Sequence, residues 1–191
     1  MADLGVGRNP ALLRREGTGL ILIDVQEAFR PVIDGFDATV ANCGLLAEGF
    51  GALERPVLVS EQYPKGLGNT VAELAERLPE GTAPIEKLRF SVCGVEAFDA
   101  ALAASGCDTW VVAGIETHVC VNQTVLDLLE RGYRAYVASD AVSSRTPANR
   151  DLALERMAAA GAQLTSAEMA LFEMLEVAGS PEFKTISKLV R

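Results

Sequence analysis

Gly19-Leu20-Ile21-Leu22-Ile23-Asp24 is an unbroken apolar run closed by an acid. A strand with one wet face alternates apolar and polar residues, and this run has no polar face. It reads as a strand covered on both sides, the habit of parallel sheets sandwiched between helices. Beyond it, a helical stretch from about Ala38 to Glu54 ends at Arg55-Pro56, and Val57-Leu58-Val59-Ser60 predicts the next strand. Glu61 to Asn69 is a loop of turn formers carrying an aromatic, and Val71 to Leu78 is a short helix stopped by Pro79. Ala83-Pro84-Ile85-Glu86-Lys87 is strand-like, with its proline placing it near an edge or a strand start.

The same rhythm continues through the second half. Glu96 to Ala104 reads as a helix, Trp110 to Gly114 as a strand, and Val121 to Leu129 as a helix. Tyr133 to Ala138 is the next strand, Asp140 to Pro147 a loop, and Pro147 to Ala160 a helix closed by Gly161. Gln163-Leu164-Thr165 predicts a last strand before helical segments to the C-terminus. Strands alternating with helices throughout predict an α/β fold with a mostly parallel sheet and helices on both faces. No repeat or linker divides the chain, so one domain over residues 1–191 is the expectation.

Composition narrows the function classes. With 191 residues, 49% hydrophobic and 23% charged, the chain can bury a full core and is too apolar for disorder. No stretch approaches the roughly 18 uncharged apolar residues of a membrane span. Lys plus Arg total 17 against 26 acids, a net charge of −9, so neither nucleic acid nor an anionic membrane is an expected partner. Cys43, Cys93, Cys107 and Cys120 form no CxxC pair, and Met1-Ala2-Asp3-Leu4-Gly5 has no basic segment leading into an apolar one. Free thiols in the cytoplasm are the expectation. His118 is the single histidine, which excludes zinc sites built on two or more histidines, and no metal or cofactor is expected.

In open parallel sheets, ligands bind beyond the carboxyl ends of the strands. Asp24 follows the first strand, Ser60-Glu61-Gln62-Tyr63 the second, Lys87 the third, and Gly114-Ile115-Glu116-Thr117-His118-Val119-Cys120 the fourth. An acid, an amine and a thiol thus reach one edge of the sheet. Cys120 stands where a helix begins, and the helix dipole with its unpaired N–H groups favours thiolate there. Lys87 would lower its pKa further, and Asp24 would carry the proton. Taken singly, Cys120 also reads as a small buried apolar residue, Asp24 as a turn acid, and Lys87 as a surface amine.

Three ordered blocks resemble the isochorismatase-like cysteine hydrolases: Thr18 to Phe29, Glu86-Lys87-Leu88-Arg89-Phe90-Ser91, and Gly114 to Val121. Gly132-Tyr133 to Arg145 is similar to that family too, and Glu61 to Gly68 resembles its isochorismatase-domain-containing branch. The resemblance implies a three-layer, Rossmann-like α-β-α fold on a six-stranded sheet, with an Asp24–Lys87–Cys120 triad. It also implies a cis peptide at Ile115–Glu116, backbone amides of Glu116 and Cys120 facing one oxyanion, and a homo-oligomer. Nicotinamidases of this superfamily hold a metal with an Asp and histidines after the second strand. Here that segment is Ser60-Glu61-Gln62-Tyr63-Pro64 and lacks them. Isochorismatases proper lack the nucleophilic cysteine, so Cys120 points instead to hydrolysis of a C–N bond in a small amide-type substrate.

Around this centre, Phe29, Gln62, Tyr63 and Ile115 are candidate substrate contacts. His118 reads as a loop or rim residue and Asn122 as a helix cap. Cys43, Cys93 and Cys107 read as structural thiols, and Arg14, Arg15, Arg145 and Arg150 as solvated. Two other classes stay open: a thiol-based redox or stress-related protein, and a catalytically silent binding protein. The first would use a low-pKa Cys120; the second would have lost one of the three side chains, and all three are present.

Overall fold

The computed structural model describes residues 8–191; the Met1–Gly5 segment lies outside them. The elements in chain order are β1 (Thr18–Ile23), α1 (Phe36–Ala52), β2 (Val57–Gln62), α2 (Pro64–Leu67), α3 (Ala72–Ala75), β3 (Ile85–Lys87) and α4 (Glu96–Ala104). They continue as β4 (Thr109–Ile115), α5 (Asn122–Glu130), β5 (Arg134–Ser143), α6 (Pro147–Ala159), β6 (Gln163–Thr165), α7 (Ala167–Leu175) and α8 (Pro181–Leu189). One six-stranded sheet runs β3-β2-β1-β4-β5-β6, and every pairing is parallel.

The β1 run explains the layers. Successive side chains on a strand point to opposite faces. Leu20 and Leu22 enter the core shared with α1, α7 and α8, and Ile21 and Ile23 enter the core shared with α4, α5 and α6. All four are fully buried, as a strand with a helical layer on each face requires. This is a three-layer α/β fold.

The chain winds outward in two directions from the β1/β4 pair, so the strand order reverses between them. A cleft opens at such a reversal, beyond the carboxyl ends of the strands. Gly114 lets the two strands meet there: its φ is +114°, and a Cβ would stand 2.1 Å from the Ile23 carbonyl oxygen.

The segment read as a loop over residues 61–69 holds the end of β2 and the short helix α2, and a larger departure lies at β5. Residues 140–143 are strand, so β5 runs on where a loop was expected. The register jumps from Val112 against Val137 to Gly114 against Val142, which throws residues 139–141 out as a bulge. Asp140 there accepts from the Ala167 amide at 2.9 Å, and the Arg150 guanidinium donates to the Val142 and Ser139 carbonyls. Arg150, read as solvated, is thus a brace for the extension that carries Ser143 and Ser144 to the cleft edge.

Candidate active site

The carboxyl end of β1 turns sharply at Asp24, whose φ of 53° lies in the left-handed region that aspartate tolerates better than most residues. The turn directs its carboxylate inward, where it is completely buried. Its Oδ1 accepts from the Ser60 hydroxyl at 2.7 Å and its Oδ2 from the Lys87 ammonium at 2.6 Å. Lys87 comes from the last position of the edge strand β3, and its side chain is as buried as its partner. The ammonium also donates to Gln62 Oε1 at 2.7 Å and to the Arg89 carbonyl at 3.2 Å. All three N–H groups therefore have acceptors, which fixes the cation in place.

Cys120 approaches from the other side, on the turn between β4 and α5. The Ile115–Glu116 peptide is cis, and residues Thr117–Val121 form one π-helical turn. The Glu116 carbonyl accepts from Val119 N at 3.0 Å and from Val121 N at 3.2 Å, and neither bond uses the Cys120 N–H between them. Wide turns of this kind recur at functional sites. Asp24 and Lys87 both act electrostatically on the thiol, in opposite directions.

The electrostatics correct one expectation. A helix start was expected to favour thiolate, yet the Cys120 thiol is pushed up to about 12. Burial is the largest cause and the Asp24 carboxylate the next; Lys87 opposes them without prevailing. Burial likewise raises the Asp24 carboxyl above its ordinary value, against the lowering effects of Lys87, Ser60 and Cys120. Sulfur holds its proton at neutral pH, beside a carboxylate made more basic than usual.

The other expected site residues divide into two groups. Tyr63 is half exposed at the cleft rim, its ring on Gly66, and Phe29 is half-buried against the α1 side of the core. Ile115 is fully buried among core side chains, so its side chain is closed to a substrate. Gln62 turns its amide onto Lys87 and the Leu88 carbonyl. The Glu116 side chain is buried and accepts from Arg145 at 3.0 Å, and His118 Nδ1 lies 3.0 Å from the Ser144 hydroxyl. Asn122 is no cap: it is buried, and its Oδ1 has no partner, like the Thr117 hydroxyl nearby. A cavity of about 330 Å³ lies beside Tyr63, Lys65, Glu86 and Leu88 and touches Lys87. Among the described residues, no three His, Cys, Asp or Glu side chains group as metal ligands.

Sequence reasoning missed Gln26 and Ser60. Gln26 is fully buried and pairs with the backbone of Gln62 through both ends of its amide: Gln62 N donates to Oε1 at 2.8 Å, and Nε2 donates to Gln62 O at 3.0 Å. It thereby continues the β1–β2 ladder one rung past the end of β1. Its position two residues after Asp24, with no apolar alternative there, was the only signal.

The sequence profile of the isochorismatase domain matches residues 18–169, which takes in all of this machinery. The chain belongs to the isochorismatase family. Isochorismatase domain-containing protein 2 of Danio rerio is 40% identical over 187 residues, covering 97% of this chain and 91% of its own. The secreted isochorismatase effector Isc1 of Phytophthora sojae is 40% identical over 176 residues, covering 90% of this chain and 83% of its own. The structure of MAR1 ribonuclease from Caenorhabditis elegans superposes with a TM-score of 0.88 at 37% identity, over 94% of this chain and 92% of that one. Among the described residues, no helix is long and apolar enough to cross a membrane.

Proposed function

We propose that this isochorismatase-family hydrolase cleaves a C–N bond of a small amide-type substrate, with Cys120 as nucleophile, Asp24 as proton carrier and Lys87 as fixed cation. The observation that carries the reading is the buried Asp24–Lys87 pair acting on a thiol that keeps its proton. A raised carboxyl pKa makes Asp24 a stronger base than an ordinary aspartate. All three N–H groups of the Lys87 ammonium donate hydrogen bonds, so its part is electrostatic.

The steps follow from those roles. Asp24 takes the Sγ proton as sulfur attacks the carbonyl carbon, and the amides of Glu116 and Cys120 receive the oxyanion. The C–N bond breaks as Asp24 hands its proton to the departing nitrogen, leaving a thioester. Water then attacks the thioester, losing one proton to Asp24, and that proton returns to sulfur as the acid departs. Phe29 and Tyr63 border the space for the substrate.

A redox sensor needs a thiolate at neutral pH, and the proton held on Cys120 favours the hydrolase reading instead. Ribonuclease activity, which the nematode relative's name carries, calls for a cationic track along a polyphosphate, and a chain of net charge −9 has no Lys/Arg cluster to form one. A silent binding protein has no use for a buried ion pair on a cysteine. Four free cysteines suit the reducing cytoplasm. Val32, Tyr63, Leu88 and Phe90 are exposed on loops at the same sheet edge as Cys120, which suits a homo-oligomer. We read residues 1–191 as one hydrolase domain.

A panel of small amides, assayed for ammonia or amine release with Cys120→Ala as the blank, tests the proposal. A hydrolysed amide is expected to leave a hydroxylamine-sensitive acyl adduct on Cys120 by mass spectrometry. Full activity in Cys120→Ala would overturn the nucleophile assignment.

A further inference from the structure

Gln62 carries an unusual set of hydrogen bonds. Its side-chain oxygen accepts from the Lys87 ammonium at 2.7 Å, almost as close as the Asp24 oxygen at 2.6 Å. Its side-chain nitrogen donates to the Leu88 carbonyl at 3.0 Å. A carbonyl only accepts and an ammonium only donates, so the two contacts together permit one orientation of the amide. Its backbone is clamped from the other side by Gln26, whose Nε2 also donates to the Gly68 carbonyl at 2.6 Å. The side chain is thus held at both ends of its length.

From this geometry we infer that Gln62 is a positioning residue for the reaction: it competes with Asp24 for the Lys87 ammonium and so sets how much of that positive charge Cys120 senses. The inference rests on the Asp24–Lys87–Cys120 reading and adds to it. Sequence position had placed Gln62 among the substrate contacts; its amide is instead engaged with the cation. A neutral acceptor at this point holds the ammonium without adding a second negative charge. A carboxylate would neutralise the cation from both sides and weaken its pull on the sulfur.

The titratable and charged groups facing this cluster are few. Asp24 and Lys87 act on the thiol, Glu116 is tied to Arg145, His118 faces Ser144, Glu61 is occupied by the Thr70 amide and hydroxyl, and Lys65 and Glu86 line the open cavity outside Lys87. A change in the response of Cys120 on altering Gln62 therefore passes through Lys87.

The test is the pH profile of Cys120 alkylation by iodoacetamide, read by mass spectrometry with Cys43 as the internal fold check. Gln62→Glu is expected to move the apparent pKa of Cys120 up by about one pH unit, slowing labelling about tenfold at fixed pH. Gln62→Met, which keeps the length and removes the acceptor, is expected to move it down, with Cys43 still unlabelled. A loosened fold would speed labelling of both cysteines in both variants, and that result, or an unchanged profile in either, overturns the inference. Asp24→Asn in the same assay separates the two levels. If it alone shifts Cys120, the Gln62 inference fails and the site reading stands; if it too leaves the profile unmoved, the site reading itself has failed.

Discussion

Cys43 lies in the middle of α1, fully buried, with its Sγ donating to the Ala141 carbonyl at 3.4 Å. Cys120 lies on the turn before α5 and is 5% exposed. Burial pushes both thiols up to about 12, so neither is thiolate at neutral pH. The charged neighbours differ. The charge acting on Cys43 is Asp140, which opposes ionisation, whereas Cys120 has Asp24 opposing it and Lys87 favouring it. A high thiol pKa therefore does not by itself separate the proposed nucleophile from a core cysteine. What separates the two is the charge around the sulfur: an acid alone at Cys43, an acid and a cation at Cys120.

The largest expected break of this comparison is Asp24→Asn. Turnover is expected to fall by about 10²- to 10⁴-fold, the range for loss of a general base. The same change removes the carboxylate that raises the Cys120 pKa, so alkylation of Cys120 at pH 8 is expected to accelerate. A variant slower in catalysis and faster in labelling separates proton transfer from thiol acidity. If both rates fell together, Asp24 would be holding the fold and nothing more.

Lys87→Met works in the opposite direction. It takes away the cation acting on Cys120 and strands the buried Asp24 carboxylate, a loss of about 3–5 kcal/mol when one member of a buried pair is removed. Thermal and urea unfolding would measure that loss. In whatever folds, Cys120 is expected to become as resistant to alkylation as Cys43. Arg30, which reaches Glu27, Asp37 and Glu73 on the surface, offers the contrast. Exposed pairs of that kind are screened by solvent and contribute little to stability.

The residues that converge on Cys120 were readable because each follows a strand, and the strands announce themselves. Leu20 to Ile23 can only be a doubly covered strand, and the end of such a strand fixes the position of Asp24. Lys87 and Cys120 follow by the same rule. The rest depends on distances between segments. The β5 bulge hides behind Asp140, a residue that signals a turn until Arg150 and the Ala167 amide are brought beside it. The pairing of Gln26 with Gln62 depends on the β1–β2 register, which puts Ile23 opposite Ser60. Thiol acidity misled for a related reason. A helix start is visible in sequence, but the burial that outweighs it belongs to the packed molecule.

In the unaltered protein, the labelling rate of Cys120 is expected to keep rising past pH 9, since its pKa lies above that of a free thiol. Cys43 should stay unlabelled until the protein unfolds. A plateau for Cys120 near neutral pH would mean that Lys87 outweighs burial and Asp24, and the order of those influences would have to be reversed.

The smallest expected effect concerns Cys43 alone. Its thiol releases its proton near 9.0 when unfolded and at about 12 when folded. Between those values the unfolded chain binds fewer protons than the folded one, so stability falls as pH rises through the window. Cys43→Ala removes that dependence at a cost of about 1–2 kcal/mol in lost packing and a weak hydrogen bond. Unfolding free energies measured from pH 8 to 11 should then give two lines. The variant should be less stable at pH 8 and decline less steeply, while amide turnover at pH 8 stays unchanged. Parallel lines would show that Cys43 titrates alike in both states, and the first half of the comparison would fail even if Cys120 behaved as described.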